Sequence, residues 1–240
     1  GIEYNAAGRF ASVSKFVQND LRTNKNLITL RNTRVSGLST KAFIINKQIK
    51  ADSLTTDGGA IGFYRSKSKG NAKETIELDN GFFDEAQVKN IRLGPSTVSL
   101  FNKANKNEAP MVFTNLRFNA SGIGSIYNGT DLLQLLGDSD WDLFADGYSF
   151  LTEDKIYRVN IGPFLLDKAR SLINVKYANL LPVPSPQAFV RSLKFQKDLY
   201  NFHLNNIVFT GADVKKLVTD KMIVAEELKL QPLIAIFKDR

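Results

Sequence analysis

Laid over itself so that Leu30 meets Leu204, the chain matches without a gap: "LRNTRVSGLSTKAFIINKQIKADSLTTDGGAIGFYR" lies on "LNNIVFTGADVKKLVTDKMIVAEELKLQPLIAIFKD". Leu30/Leu204, Asn32/Asn206, Gly37/Gly211, Lys41/Lys215, Lys47/Lys221, Ile49/Ile223, Ala51/Ala225, Leu54/Leu228 and Phe63/Phe237 are identical. A self-match of this kind constrains the fold, because each copy is one supersecondary unit and neighbouring units share a core. The common grammar is strand, glycine turn, short helix or loop, charged turn, strand, break, strand. A partial third copy is "VKNIRLGPSTVSLFNK", in which Val88, Ile91, Leu93, Pro95 and Leu100 fall on Ala225, Leu228, Leu230, Pro232 and Phe237.

Outside the repeat the chain also reads in period two, the side-chain period of a strand. "LITLRN", "YRVNIG", "YNFHLNN" and "SLINVKYANLL" alternate, and "DKAR" between "NIGPFLL" and "SLINV" reads as a hairpin turn. "VKNIRLGPSTVSLF" reads as two short strands around Gly94-Pro95. Helical signals are few. "TDLLQLLGD" has a Thr cap and a terminating Gly137, "SPQAFVRSL" has Ser at the cap, and "TGADVKKLV" carries a Thr210-x-x-Asp213 capping box. The N-terminal "GRFASVSKFVQNDL" fits an amphipathic helix through Phe10, Val13, Val17 and Leu21. The expected fold is mainly β: a curved antiparallel sheet, a trough or half-barrel built from repeated strand-turn-strand units with a few short helices. Residues 1–25 form a helical or extended lead-in. Residues 26–240 form the repeat-containing domain, with copies near 28–67, 86–103 and 202–240.

The run "KADSLTTDGGAIGFYRSK" invites a phosphate-loop reading, which the repeat removes. Gly58-Gly59 occupies the break that holds Pro232 in one copy and Pro95 in another. Proline has no amide to offer a phosphate and its φ is fixed, so a position that accepts either residue is a bend or bulge. The G-x-G-x-x-G and P-loop spacings are absent as well.

Little else in the 240 residues suggests catalysis. There is no cysteine and one histidine, His203, which removes thiolate nucleophiles, disulfides and His-based zinc sites. His203 alternates with Phe202 and Leu204 and so faces away from them. Asp138, Asp140, Asp142 and Asp146 have calcium-like spacing, but the sixth and twelfth positions of such a loop hold Leu143 and Ser149 in place of Gly and Glu. They read as a polar turn, with Trp141 and Leu143 packing inward. No metal, small-molecule cofactor or nucleic acid is expected. The net charge of +8 is compatible with an anionic surface. Its local clusters are Arg65, Lys67 and Lys69, and Lys103 and Lys106, a basic rim that follows the strands of the repeat.

The run from "YRVNIGPFLLDKARSLINVKYANLLP" through "SLKFQKDLYNFHLNNIVFTG" to "IVAEELKLQPLIAIFKDR", with its earlier counterpart "IKADSLTTDGGAIGFYRSK", resembles the AsmA-like envelope proteins of Gram-negative bacteria, Bacteroidetes-type members in particular. The resemblance implies an antiparallel sheet curved into a trough, in periplasmic proteins held at the inner membrane by an N-terminal helix and linked to envelope integrity and lipid movement. On that reading an anchoring segment lies outside this chain, and the partners are lipid, a membrane surface or other envelope proteins.

Alternating strands with few helices leave an apolar face for a second sheet, for the curl of the same sheet, or for an acyl chain. The candidate groove residues are Leu30, Ile49, Leu54, Phe63, Val88, Ile91, Leu93, Leu204, Ile223, Leu228, Leu230 and Phe237. The alternative is a carbohydrate-binding or adhesin-like β module, a sandwich or solenoid. The spacings between copies, Leu54 to Ile91 and Leu30 to Leu204, exceed a solenoid coil of roughly 20–30 residues.

Overall fold

The computed structural model describes residues 2–5, 9–19, 26–39, 41–42, 48–67, 74–76, 85–102, 109–127, 132–152, 154–185, 187–188 and 199–237. The described strands are β1 (Ile2–Asn5), β2 (Phe10–Asn19), β3 (Asn26–Ser36), β4 (Gln48–Thr56), β5 (Gly59–Lys67), β6 (Glu74–Ile76), β7 (Glu85–Asn102), β8 (Met111–Ser121), β9 (Ile126–Tyr127), β10 (Asp140–Ala145), β11 (Tyr148–Leu151), β12 (Tyr157–Ile161), β13 (Phe164–Asp167), β14 (Leu172–Pro182), β15 (Leu199–Thr210) and β16 (Glu227–Phe237). Among the described residues two helices can be followed from end to end, α1 (Leu132–Asp138) and α2 (Val214–Asp220). The fold is mainly β, a single curved sheet, as the alternation predicts.

Register joins several short strands into long ones. β4 and β5 both run between β3 and β7, β10 continues as β11, and β12 continues as β13. Across the sheet the order then follows the chain: β1, β2, β3, β4–β5, β7, β8, β10–β11, β12–β13, β14, β15, β16. Neighbours are antiparallel except at one seam, where β4 and β5 run parallel to β7. At that seam Ala51 lies beside Val88, Leu54 beside Ile91 and Phe63 beside Leu100. These are the residues that the partial sequence repeat equates, so the half-copy stacks in register beside its own equivalent. A parallel pair needs a crossover connection; between β5 and β7 in the chain, β6 pairs back onto β5.

The full repeat is physical. Ser39 N–H donates to the Lys50 carbonyl at 2.8 Å, and its counterpart Asp213 N–H donates to the Val224 carbonyl at 2.8 Å. The Ser39 hydroxyl accepts from Ala42 N–H, and the Asp213 carboxylate from Lys216 N–H. Gly37 and Gly211 both have left-handed φ, +68° and +62°, and a Cβ at either would strike Asp52 or Glu226 respectively. A third complete unit, not visible in the self-alignment, runs from β8 through left-handed Gly122 and α1 to β10–β11. Its first strand, like β3 and β15, pairs with the broken strand that follows.

Apolar side chains gather under the two helices. Trp141, Ile173, Ala120, Ala212 and Val214 are buried, with Leu136 of α1 and Leu217 of α2 packed against them. Trp141 Nε1–H donates to the Leu136 carbonyl at 2.8 Å, and Lys215 Nζ of α2 meets Asp138 of α1 at 2.9 Å. The Lys215 ammonium, through its hydrogen bond and its charge, holds the Asp138 carboxyl below its usual range. Lys168 Nζ also donates to the Ser139 carbonyl where α1 turns into β10.

Four local expectations are corrected. The Phe10–Leu21 segment is not helical where described: Phe10–Asn19 is β2, because pairing with both β1 and β3 outweighs weak periodicity. The run around Gly94-Pro95 is one strand, β7, with register shifts at the break. Thr210 ends β15 and caps nothing; Asp213 is the N-cap of α2. Asp140 and Asp142 lie in β10 and not in a turn. The Ser185 hydroxyl does accept from Ala188 N–H at 3.3 Å, the cap contact expected there.

Candidate functional site

The breaks in the long strands line up across the sheet. Asn32 in β3, Gly58 between β4 and β5, Asn115 in β8, Gly147 between β10 and β11 and Asn206 in β15 all have positive φ. Asparagine is the side chain that best tolerates this conformation, and glycine meets no steric cost there. Each of the three asparagines donates to the broken strand beside it. Asn32 Nδ2 reaches Asp57 at 2.7 Å, Asn115 reaches Asp146 at 2.9 Å and Asn206 reaches Gln231 at 2.9 Å. The amides at Gly58 and Gly59 are occupied inside the sheet, by Thr56 Oγ1 and Ser96 Oγ, and the Gly58 carbonyl accepts from Arg31 N–H. The glycine break is therefore a bend and has no amide to spare for an anion.

This crease inverts strand parity without changing the face that is apolar. In β7, Leu93 precedes the break and Val98 and Leu100 follow it, and all three join one cluster. In β8 the cluster takes Phe118 and Leu116, then Phe113; in β10–β11 it takes Leu143 and Ala145, and the Tyr148 ring packs tilted against Phe113. A straight strand shows alternate residues to one face, so an inversion in one strand alone would put its side chains on the wrong side. Aligned inversions keep neighbouring strands in step.

Beyond the crease, two apolar rows cross five strands. Phe150, Val159, Leu180, Phe202 and Ile234 stand opposite one another in succession, and so do Tyr148, Ile161, Ala178, Leu204 and Pro232. Tyr148 stacks on Phe150 and Tyr200 on Phe202. The helices cover the opposite half of this face, over Trp141 and Ile173. On the half that neither α1 nor α2 covers, Phe150 is 39% exposed, Ile234 53% and Ile236 49%.

The other face is polar. Thr55, Arg92, Asn119, Asp142 and Asp167 follow one another in register across β4, β7, β8, β10 and β13. They line a groove of about 460 Å³ together with Arg170. Asn119 Nδ2 lies 3.0 Å from both Asp142 carboxylate oxygens, and buried Asp167 holds the Arg170 guanidinium at 2.8 Å. His203 sits on this face between Asn179 and Leu233, as alternation predicts. Among the described residues no group of three His, Cys, Asp or Glu side chains is arranged to hold a metal ion. Of the four aspartates, Asp138 pairs with Lys215, Asp142 accepts from Asn119, Asp146 accepts from Asn115, and Asp140 lines the polar groove beside Asp142.

At the end of the parallel seam Glu85 is buried and accepts from Gln48, Gln87, Ser125 and Tyr127 at 2.7–3.3 Å. These donors, the Ser125 hydroxyl foremost, outweigh burial and hold the Glu85 carboxyl below its ordinary range. The cage ties β4, β7 and β9 together.

The sequence-derived groove residues divide between several places. Leu54, Ile91 and Leu93 face the apolar side, Leu30 and Phe63 lie on the same side past the crease, and Leu204 is in the second apolar row. Ile49 and Val88 lie along the parallel seam, Ile49 opposite Ala86 and Val88 opposite Ala51, and Val88 is buried there. Ile223 precedes β16 in a loop and is 55% exposed. Leu228 stands opposite Phe209, with Leu230 two residues on. The Phe237 backbone pairs with Leu199, but its side chain lies outside the described residues. Of the basic rim, Arg65 and Lys67 lie on β5 opposite Ile76 and Glu74, with side chains outside the described residues. Lys69, Lys103 and Lys106 lie outside them entirely. Sequence reasoning missed Phe150, Val159, Leu180, Phe202 and Ile234, although Val159 and Phe202 sit in the alternating runs "YRVNIG" and "YNFHLNN".

Among the described residues no helix is long and apolar enough to cross a membrane. The chain matches no known family model, and neither a curated protein nor a solved structure matches it.

Proposed function

We propose that this chain is a non-enzymatic, lipid-binding β-sheet domain of the bacterial cell envelope, AsmA-like in its strand grammar and periplasmic in location. One observation carries the reading: the apolar face runs on past the crease, and its far half presents two cross-strand rows, while α1 and α2 pack over the near half. A surface that is apolar along the sheet and polar on its reverse suits an acyl chain laid across strands, with the head group at the rim. Exposed apolar area of this kind on a sheet usually marks an interaction site. Mass spectrometry of an organic extract of the purified protein tests it. Reproducible acyl lipid, lost from a Phe202→Glu variant that keeps its far-UV circular dichroism, supports the reading; protein that is free of lipid and takes none from vesicles refutes it.

The polar groove gives a second reading, a carbohydrate-binding module. Thr55, Arg92, Asn119 and Asp142 offer alternating donors and acceptors across four strands, which suits a polyhydroxylated ligand. Glycan-array binding abolished by Asn119→Ala, with no lipid in the extract, favours this reading over the first.

A further inference from the structure

We propose that a second groove on the polar face, past the crease, binds a neutral oligosaccharide. The groove holds about 390 Å³ over β11, β12 and β14 and is lined by Ser149, Asn160, Tyr177 and Asn179, together with Asp146 and Val112. Its volume lies within the roughly 300–1,000 Å³ of small-molecule sites. The proposal goes beyond the lipid reading and rests on the second reading only for the class of ligand; the place is a different one.

Register builds the floor. Ser149, Asn160, Asn179 and His203 stand opposite one another across β11, β12, β14 and β15, one polar side chain per strand. The Ser149 hydroxyl donates to Asn160 Oδ1 at 2.6 Å, which commits the amide oxygen and leaves the Nδ2 donors. Among the described residues neither those donors nor the Asn179 amide meets a hydrogen-bond partner. A side-chain amide offers donors and an acceptor in one plane, the pattern that a pair of adjacent ring hydroxyls answers. Neighbouring strands lie about 4.8 Å apart, close to the length of one pyranose in an extended chain. A glycan laid across the strands therefore meets one polar side chain per sugar.

A glycine sets the aromatic wall. The half-buried Tyr177 ring lies so close to Gly162 that a Cβ there would stand 2.5 Å from it, and Gly162 N–H donates to the Tyr177 carbonyl at 2.8 Å. A side chain at Gly162 would push the ring out of the position in which it lines the groove. A tyrosine ring gives an apolar plane to the C–H face of a pyranose and a hydroxyl to its rim. Charge selects against anions. Among the described residues no lysine or arginine lines the groove, and its carboxylate, Asp146, accepts from Asn115 Nδ2 at 2.9 Å. A phosphate or sulfate finds no cation here, and a neutral polyol needs none.

Isothermal titration calorimetry and saturation-transfer NMR on the full chain, with neutral di- to hexasaccharides of the glucose, mannose and N-acetylglucosamine series, test this. Binding is expected to weaken by about tenfold or more in Tyr177→Ala and in Asn179→Ala, and to be kept in Tyr177→Phe and in Asn119→Ala. Tyr177→Phe preserves the packing on Gly162 and Asn179→Ala leaves it untouched, so a loss of fold does not imitate a loss of the site. Absence of binding by every oligosaccharide in the set overturns the proposal. Binding that is abolished by Asn119→Ala and kept in Tyr177→Ala and Asn179→Ala overturns it as well, and assigns the carbohydrate to the groove of Asn119 and Asp142. The lipid reading is decided separately by the extract, because its apolar rows lie on the opposite face.

Discussion

Replacing Gly58 by alanine tests the crease directly. Gly58 has φ +99°, outside even the left-handed well that asparagine visits, and holding a side chain there costs about 1–3 kcal/mol. A Cβ at this position would lie 2.0 Å from the Pro95 carbonyl oxygen, where ordinary contact begins near 3.4 Å. The obstacle is backbone, so β4–β5 and β7 must separate. That movement strains the Gly59 N–H bond to Ser96 Oγ and the Arg31 N–H bond to the Gly58 carbonyl, each worth about 1 kcal/mol. Together the loss is about 3–5 kcal/mol, a large part of the ~5–15 kcal/mol that a domain has. For a chain of this size it corresponds to a fall in Tm of roughly 10 °C or more. Gly122→Ala is the control. Its φ of +66° is also positive, but nothing lies within 4 Å of the added carbon. Only the left-handed strain of about 1–2 kcal/mol remains, and the expected fall is a few degrees. Differential scanning calorimetry on both variants decides the matter. Equal losses would refute the claim that the contact between the breaks of β4–β5 and β7 holds the crease.

Three further outcomes are expected. Asn206→Gly is expected to cost less than about 1 kcal/mol in urea unfolding, since glycine accepts the left-handed conformation and only the bond to Gln231 is lost, whereas Asn206→Val adds about 1–2 kcal/mol of backbone strain. Glu85 has a folded pKa below its unfolded value, so its contribution is full above the ordinary carboxylate range and is lost as pH falls through the lowered value; the Tm difference between the natural protein and Glu85→Gln is expected to shrink on acidification through that window. The single tryptophan, Trp141, is 4% exposed beneath α1, so its emission is expected to be blue-shifted and poorly quenched by iodide, and Trp141→Ala is expected to destabilise by about 3–5 kcal/mol.

Period-two alternation identified most strands, because a half-buried strand must alternate wherever it pairs. It misread Phe10–Asn19, where Phe10, Val13 and Val17 fit a helical spacing as well as a strand with a parity change. The repeat was legible because Asn32 and Asn206, Gly37 and Gly211, and Asp57 and Gln231 perform the same backbone tasks. The third unit escaped because its tasks are the same but its spacing is not: Asn115 stands seven residues before Gly122, while Asn32 stands five before Gly37. The groove residues were sorted by repeat position, and that could not reveal which face each one occupies.

The sequence by itself determined a β protein of repeated units, a bend at Gly58-Gly59, a chain without cysteine, and a lone histidine turned away from Phe202 and Leu204. These follow from local steric rules and from residue types, which do not depend on distant neighbours. Tertiary structure alone decided that β4–β5 runs parallel to β7, that Val88 is buried against Ala51 at that seam, and that Phe150, Val159, Leu180, Phe202 and Ile234 form one row. Each of those depends on which strand pairs with which and on parity inversions aligned across the sheet, a cooperative property of many strands that no single stretch of chain contains.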